Sequence, residues 1–82
     1  MLDKNQFNSN GEPHGYWEKY WTNGNLHYKG NFINGKRDGY WEDYWMNGNL
    51  MSKGNYINGK EVGYREIYFF DSELLEIAFY AR

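Results

Sequence analysis

Glu18, Glu42 and Glu66 stand at equivalent positions 24 residues apart, and a row of carboxylates is raw material for a metal site or an acid–base pair. On successive repeats of a sheet, such residues lie two strands apart, about 9–10 Å. That is too far to share a proton or one ion, and a structural role fits better. The only histidines, His14 and His27, lack the spaced partners of a zinc site or of a Ser–His–Asp arrangement. Asn34-Gly35-Lys36 and Asn58-Gly59-Lys60 mimic part of a phosphate loop without its glycine-rich span or following helix. They read as turns carrying a solvated lysine. There is no cysteine for a disulfide or a thiolate site. No nucleophile, base and orienting group converge, so neither an enzyme nor a bound metal or cofactor is expected.

The aromatic residues are a stronger candidate. Trp17, Trp21, Trp41 and Trp45, with Tyr28 and Tyr56, recur in register, and Trp and Tyr dominate binding hot spots. Tyr16, Tyr20, Tyr40, Tyr44, Tyr64 and Tyr68 form a second ladder, polar enough to stand in water. Lys29, Lys53 and Arg37 are the candidate anion contacts for a small nucleotide-like ligand held between aromatic walls.

These side chains sit in a repeat. Gly15-Tyr16-Trp17-Glu18-Lys19-Tyr20-Trp21-Thr22-Asn23-Gly24-Asn25-Leu26 returns as Gly39-Tyr40-Trp41-Glu42-Asp43-Tyr44-Trp45-Met46-Asn47-Gly48-Asn49-Leu50, and a worn third copy starts at Gly63-Tyr64. The repeats run approximately 15–38 and 39–62, with a degenerate capping repeat over 63–82, in a single domain spanning 1–82. Asn-Gly recurs every 11 to 13 residues from Asn10 to Gly59, a hairpin signal between stretches rich in Tyr, Trp, Phe and Ile. Eighteen aromatic residues against twelve Leu, Ile, Val and Ala favour sheet over a helical core. The expected fold is all-β: an antiparallel hairpin meander forming an elongated, twisted single sheet of six to seven strands. Six are placed at 15–22, 25–33, 39–46, 49–57, 63–70 and 73–81, with a possible seventh near Gln6 and Phe7.

If Asn23-Gly24 is a two-residue loop, Trp21 faces Leu26, Glu18 faces Lys29 and Trp17 covers Gly30; the second repeat pairs Glu42 with Lys53 and Trp41 with Gly54. Alternation then puts Trp17, Trp21, Leu26, Tyr28, Trp41, Trp45, Leu50, Tyr56 and Leu74 on one apolar face. Tyr16, Glu18, Tyr20, His27, Lys29, Tyr40, Glu42, Tyr44 and Lys53 take the other. No helix is available to cover the apolar face, so strong curling, a second copy or a partner must do so. Phe69, Phe70, Leu74, Leu75, Ile77 and Phe79 make the last hairpin the greasiest part and the candidate for self-association.

The pattern Gly-Tyr-Trp-Glu-x-Tyr-Trp-x-Asn-Gly-Asn-Leu, followed by Lys-Gly-Asn-Phe/Tyr-Ile-Asn-Gly-Lys, resembles the MORN-repeat variant of YwqK-like, "antitoxin component" repeat proteins. The resemblance covers about residues 10–70. It implies a ribbon of hairpins serving as an interaction scaffold, and an antitoxin-like or inhibitory role toward a protein partner. Residues 71–82 and the spacing around Phe7-Asn8-Ser9-Asn10 depart from it.

The expected function is therefore a non-catalytic protein-interaction module, with Trp17, Trp21, Tyr28, Trp41, Trp45, Tyr56, Tyr20 and Tyr44 as contacts and a homodimer or higher oligomer as the assembly. The alternative is a small-ligand binder. A net charge of −2 argues against nucleic acid and gives anionic membranes little to attract. The start, Met1-Leu2-Asp3-Lys4-Asn5, has no apolar leader core, so a cytoplasmic location is expected.

Overall fold

The computed structural model describes residues 4–82; Met1, Leu2 and Asp3, where the reading for a leader begins, lie outside the described residues. Six antiparallel strands follow one another: β1 (Gly15–Tyr20), β2 (Leu26–Ile33), β3 (Lys36–Tyr44), β4 (Leu50–Ile57), β5 (Lys60–Tyr68) and β6 (Leu74–Tyr80). They pair strictly in chain order into one open sheet, with principal extents of 40 × 36 × 20 Å. β3 and β5 begin three residues earlier than the sequence predicts, because Lys36 and Lys60 already pair across their turns. The expected seventh strand is a single bridge, Phe7 to Pro13.

Asn-Gly closes two different turns. At Asn34-Gly35 and Asn58-Gly59 both residues have positive φ and the flanking residues pair directly, which is the two-residue hairpin loop the dipeptide favours. At Asn23-Gly24 and Asn47-Gly48 only the glycine has positive φ. There Gly24 N–H donates to Trp21 O and Trp21 N–H to Asn25 O, so the loop holds three residues, Thr22–Gly24. Trp45 to Asn49 and Phe69 to Glu73 repeat the pattern.

The longer loop moves Tyr20, not Trp21, opposite Leu26. A bulge at His27 then restores the register, and Glu18 faces Lys29 and Trp17 faces Gly30 as expected. Equivalent bulges at Met51 and Leu75 follow in the later repeats. One consequence corrects the face assignment. Paired residues share a face, so Leu26, Leu50 and Leu74 join Tyr20, Tyr44 and Tyr68, while His27 stacks on Trp21 with ring centroids 3.7 Å apart.

The turns also stack on one another. Asn23 and Asn25 both donate side-chain N–H to Met46 O, each at 2.9 Å, and Asn47 and Asn49 both donate to Phe70 O at 2.8 Å. On the opposite end of the sheet Gly35 N–H donates to Pro13 O and Gly59 N–H to Arg37 O. Residues 4–7 line the outer edge of β1: Asn5 N–H donates to Tyr16 O, and its side chain bonds both Glu18 N–H and Glu18 O.

Candidate functional site

On the tryptophan face Trp41 is an internal joint between repeats, while Trp17, Trp21, Tyr28 and Trp45 are half-buried. Lys29 pairs with Glu42 and Asn31 with Asp38, so three residues of β3, Gly39–Trp41, lie opposite Gly30 alone. Trp41 leans back over that glycine and is 0% exposed. Its indole N–H donates to Asn31 O at 3.0 Å. A methyl at position 30 would lie 2.3 Å from the indole ring, so only glycine admits it. The expected Trp17-over-Gly30 and Trp41-over-Gly54 covers are thus displaced by one repeat: Trp41 covers Gly30, and Arg65 covers Gly54. The side chain of each repeat fills a socket in the repeat before it.

Around Trp41 run Phe32 at 4.8 Å and Tyr28 at 5.6 Å between ring centroids, and Tyr56, 9% exposed, at 6.4 Å. Arg37 lies 4.1 Å over the Trp41 ring and forks onto Asp43 with two bonds of 3.0 Å. Arg65 donates to Tyr56 Oη and Ser52 Oγ, at 3.0 and 2.9 Å. Paired and stacked guanidinium groups can stand where aliphatic residues would otherwise be needed. They form the cover that the sequence did not supply as a helix. The other indole N–H groups are engaged too: Trp17 bonds Gln6 O, Trp21 bonds Tyr44 O and Trp45 bonds Tyr68 O.

The tyrosine face is built from one unit, made twice in full and once in part. Tyr16 Oη donates to Glu18 Oε2 at 2.8 Å, and Tyr20 Oη to Oε1 at 2.5 Å. Tyr40 and Tyr44 clasp Glu42 with the same two distances. Tyr68 bonds Glu66, while the Tyr64 ring instead leans on Phe79 at 5.0 Å. Lys4 reaches Glu18 at 2.7 Å, Lys29 reaches Glu42 at 3.4 Å and Lys53 reaches Glu66 at 3.6 Å. Each lysine of the repeat therefore bridges to the glutamate of the following one, not to the glutamate expected from the hairpin pairing.

This clasp decides the protonation states. Hydrogen bonds from Lys4, Tyr20 and Tyr16 pull the Glu18 carboxyl down to about 2. Burial acts to raise Glu42, but the Tyr44 and Tyr40 hydroxyls outweigh it and the carboxyl is lowered. The Tyr68 hydroxyl lowers Glu66. Burial, then the bond to the carboxylate, pushes Tyr16 and Tyr40 up to about 12. A carboxylate held ionised by phenols held neutral is a poor proton shuttle at neutral pH. It is a rigid, polar support for exposed rings.

Those rings form ridges. Tyr16, Tyr40 and Tyr64 are 36%, 49% and 70% exposed on β1, β3 and β5. Between them lie two equivalent hollows. One, of about 340 Å³, is lined by Tyr16, Lys29, Gly30, Asn31, Tyr40 and Glu42. The other, of about 180 Å³, is lined by Tyr40, Lys53, Gly54, Asn55, Tyr64 and Glu66.

Of the residues the sequence singles out, Trp17, Trp21, Tyr28, Trp41, Trp45 and Tyr56 belong to the tryptophan face. Trp41 there is core and not surface, and Tyr56 is buried. Tyr20 and Tyr44 lie on the tyrosine face. Lys29 and Lys53 share that face, but Arg37 lies across the sheet from them on Asp43, so the three do not form one anion site. Phe69, Phe70, Leu74, Leu75, Ile77 and Phe79 are 44% to 65% exposed in the last hairpin. His14 accepts Asn34 N–H on Nδ1, a turn contact. Among the described residues, no three His, Asp or Glu side chains converge as metal ligands would.

Sequence reasoning missed Asn31 and Asn55, which line the hollows, although the repeated Lys-Gly-Asn marks them. It also missed Asp43, which Arg37 reaches from the same strand across the Gly39–Trp41 bulge, and Ser52, which Arg65 reaches from β5. No family model, curated protein or solved structure matches this chain.

Proposed function

We propose that the protein is a non-catalytic, partner-binding repeat module, antitoxin-like or inhibitory in the sense of occupying a protein partner's surface, and that its tyrosine face makes the contact. The observation that carries this reading is the division of labour between the two faces. Trp41 and Tyr56 are buried and all four indole N–H groups bond backbone carbonyls, whereas Tyr16, Tyr40 and Tyr64 stand exposed around two preformed hollows. Exposed tyrosines on a rigid sheet offer large contact area with little side-chain entropy to lose. The small-ligand alternative is less well supported, since both hollow-lining lysines already face a glutamate. Native mass spectrometry of tagged protein recovered from its own source cells tests the reading. A stoichiometric protein adduct lost in Tyr40→Ala is expected; an adduct indifferent to Tyr40 refutes the assigned face.

Self-association through the last hairpin is part of the same reading. Leu75, Ile77 and Phe79 are exposed on β6, whose outer side carries no strand among the described residues. An apolar edge strand of this kind pairs readily with another. Sedimentation should give about twice the 9.9 kDa chain mass, falling to one chain in Ile77→Lys; a wild-type monomer at high concentration refutes it.

A further inference from the structure

The spacing and polarity of the two hollows identify the kind of partner segment they fit. Their ridges rise on β1, β3 and β5, two strands apart, which sets a period of roughly 9.4–9.8 Å across the sheet. Regular peptide conformations differ in how they match that period. A polyproline II helix advances about 3.1 Å per residue with three residues per turn, so every third residue recurs at about 9.3 Å. A β-strand brings side chains to one side every ~6.6–6.8 Å and falls out of step within one hollow. An α-helix turns every ~5.4 Å and keeps its carbonyls within itself.

Hydrogen-bonding capacity points the same way. A polyproline II segment leaves its carbonyls without internal partners, so a surface that binds it must offer donors. Asn31 and Asn55 are exposed, each lining one hollow, and neither side-chain amide bonds another described residue. Tyr64, at the rim of the second hollow, also has a hydroxyl with no partner among the described residues. Charge complementarity adds a third constraint. Each hollow holds one lysine and one glutamate in contact, Lys29 with Glu42 and Lys53 with Glu66, and so presents no net charge. That suits an uncharged segment better than a phosphate or a polyanion.

We propose that the tyrosine face binds a proline-rich segment in polyproline II conformation, laid across the strands. One residue in three settles beside Gly30 and Gly54 between neighbouring tyrosines. Asn31 and Asn55 donate to the segment's carbonyls. Proline rings against tyrosine are the usual means by which aromatic-lined grooves take such ligands. The two hollows and three ridges span about two turns, or six to seven residues. This inference rests on the tyrosine face being the contact surface, and names its ligand class.

The test is a titration of the intact protein with a synthetic oligoproline of about ten residues, followed by nuclear magnetic resonance. Saturable shifts at Asn31, Tyr40, Asn55 and Tyr64 are expected, with none for a glycine–serine peptide of equal length. Tyr40→Ala, at the wall shared by both hollows, should weaken binding by about tenfold or more. Tyr64→Ala, at a 70% exposed ring, serves as the variant that keeps the fold and should weaken it by several-fold. Glu76→Gln, outside both hollows, should change nothing. Absence of saturable oligoproline binding overturns the proposal, as does binding that Tyr40→Ala and Tyr64→Ala leave intact. Soluble glycan oligomers binding in the oligoproline's stead overturn it too. A cellular protein adduct that depends on Tyr40 while oligoproline fails to bind overturns the ligand class and leaves the contact face standing.

Discussion

At the residue scale, one glycine and one indole carry much of the joint between the first two repeats. Gly30→Ala pushes a methyl to 2.3 Å from the Trp41 ring, which is boxed in by Phe32, Tyr28 and Arg37. Overpacking of this kind costs about 1–3 kcal/mol, and urea denaturation should show it. Gly54→Ala meets the flexible Arg65 side chain at 3.3 Å and should cost clearly less. Equal losses at the two sites would mean that the socket is not what the glycine is for. Trp41→Ala empties the socket and should lose about 3–5 kcal/mol, enough to unfold a domain of this size.

The clasped glutamates set the pH range of the fold. Glu18 is lowered from 4.5 to about 2, so its contribution is present above 4.5 and fades as pH falls toward 2; Glu42 and Glu66 are lowered too, and theirs fades in the same direction. Tyr16 and Tyr40 are raised from 10.0 to about 12, so theirs is present below 10 and fades as pH climbs toward 12. A plateau of melting temperature between about pH 5 and 10, with a decline on each side, is the expected profile. Glu18→Gln should flatten the acid limb. A melting temperature that keeps rising below pH 4 would contradict the clasp. The period of two along Tyr-x-Glu-x-Tyr placed these three residues on one face in the sequence, but not the hydrogen bonds that join them. Which glycine a given tryptophan covers was not, because it depends on the direction in which the side chain leans between repeats.

At the element scale, five Asn-Gly pairs and the stretches between them were enough to read six strands in chain order. What they did not reveal is that the dipeptide serves two geometries. Asn34 and Asn58 precede Gly-Lys and take positive φ, whereas Asn23 and Asn47 precede Gly-Asn and do not. The difference lies outside the turn itself. Asn23 accepts Asn25 N–H at 2.9 Å, and both side chains reach the next loop at Met46 O. A contact 21 to 23 residues away in sequence cannot be read from a local pattern. Asn25→Ala should therefore cost about 0.5–1.5 kcal/mol, although the residue lies in a surface loop. Combined with Asn49→Ala, which loosens the next pair of loops at Phe70, the losses should nearly add, since each contact joins different neighbours. Thermal melts of the single and double variants check this.

At the scale of the whole molecule, the sheet is held by contacts between neighbours rather than by one central core. Its thickness of 20 Å leaves room for little more than one layer of side chains on each face, and among the described residues only Trp41, Tyr56 and Ser52 are buried, apart from two glycines. Stability should then scale with the number of joined repeats. Inserting a second copy of residues 39–62 after residue 62 supplies another Gly54 socket and another Trp41 to fill the one before it. Such a chain of eight strands should melt higher than the parent, and one that melts lower would argue against nearest-neighbour assembly.

The two ends of this arrangement behave like the ends of a growing polymer. Each repeat is a propagating unit with a filled side and a receptive side, and growth has a direction because Trp41 and Arg65 always reach backward. The segment holding Asn5 and Gln6 against β1 is the initiator: it supplies Trp17 with the carbonyl that Asn31 supplies to Trp41. Ala78 and Ile77 on β6 break the pattern. They stand where Gly54 and Lys53 stand one repeat earlier, so the socket carries its own methyl and the lysine is gone. Replacing them with glycine and lysine would give β6 the open socket and the lysine that β4 carries, the receptive side on which another unit could seat.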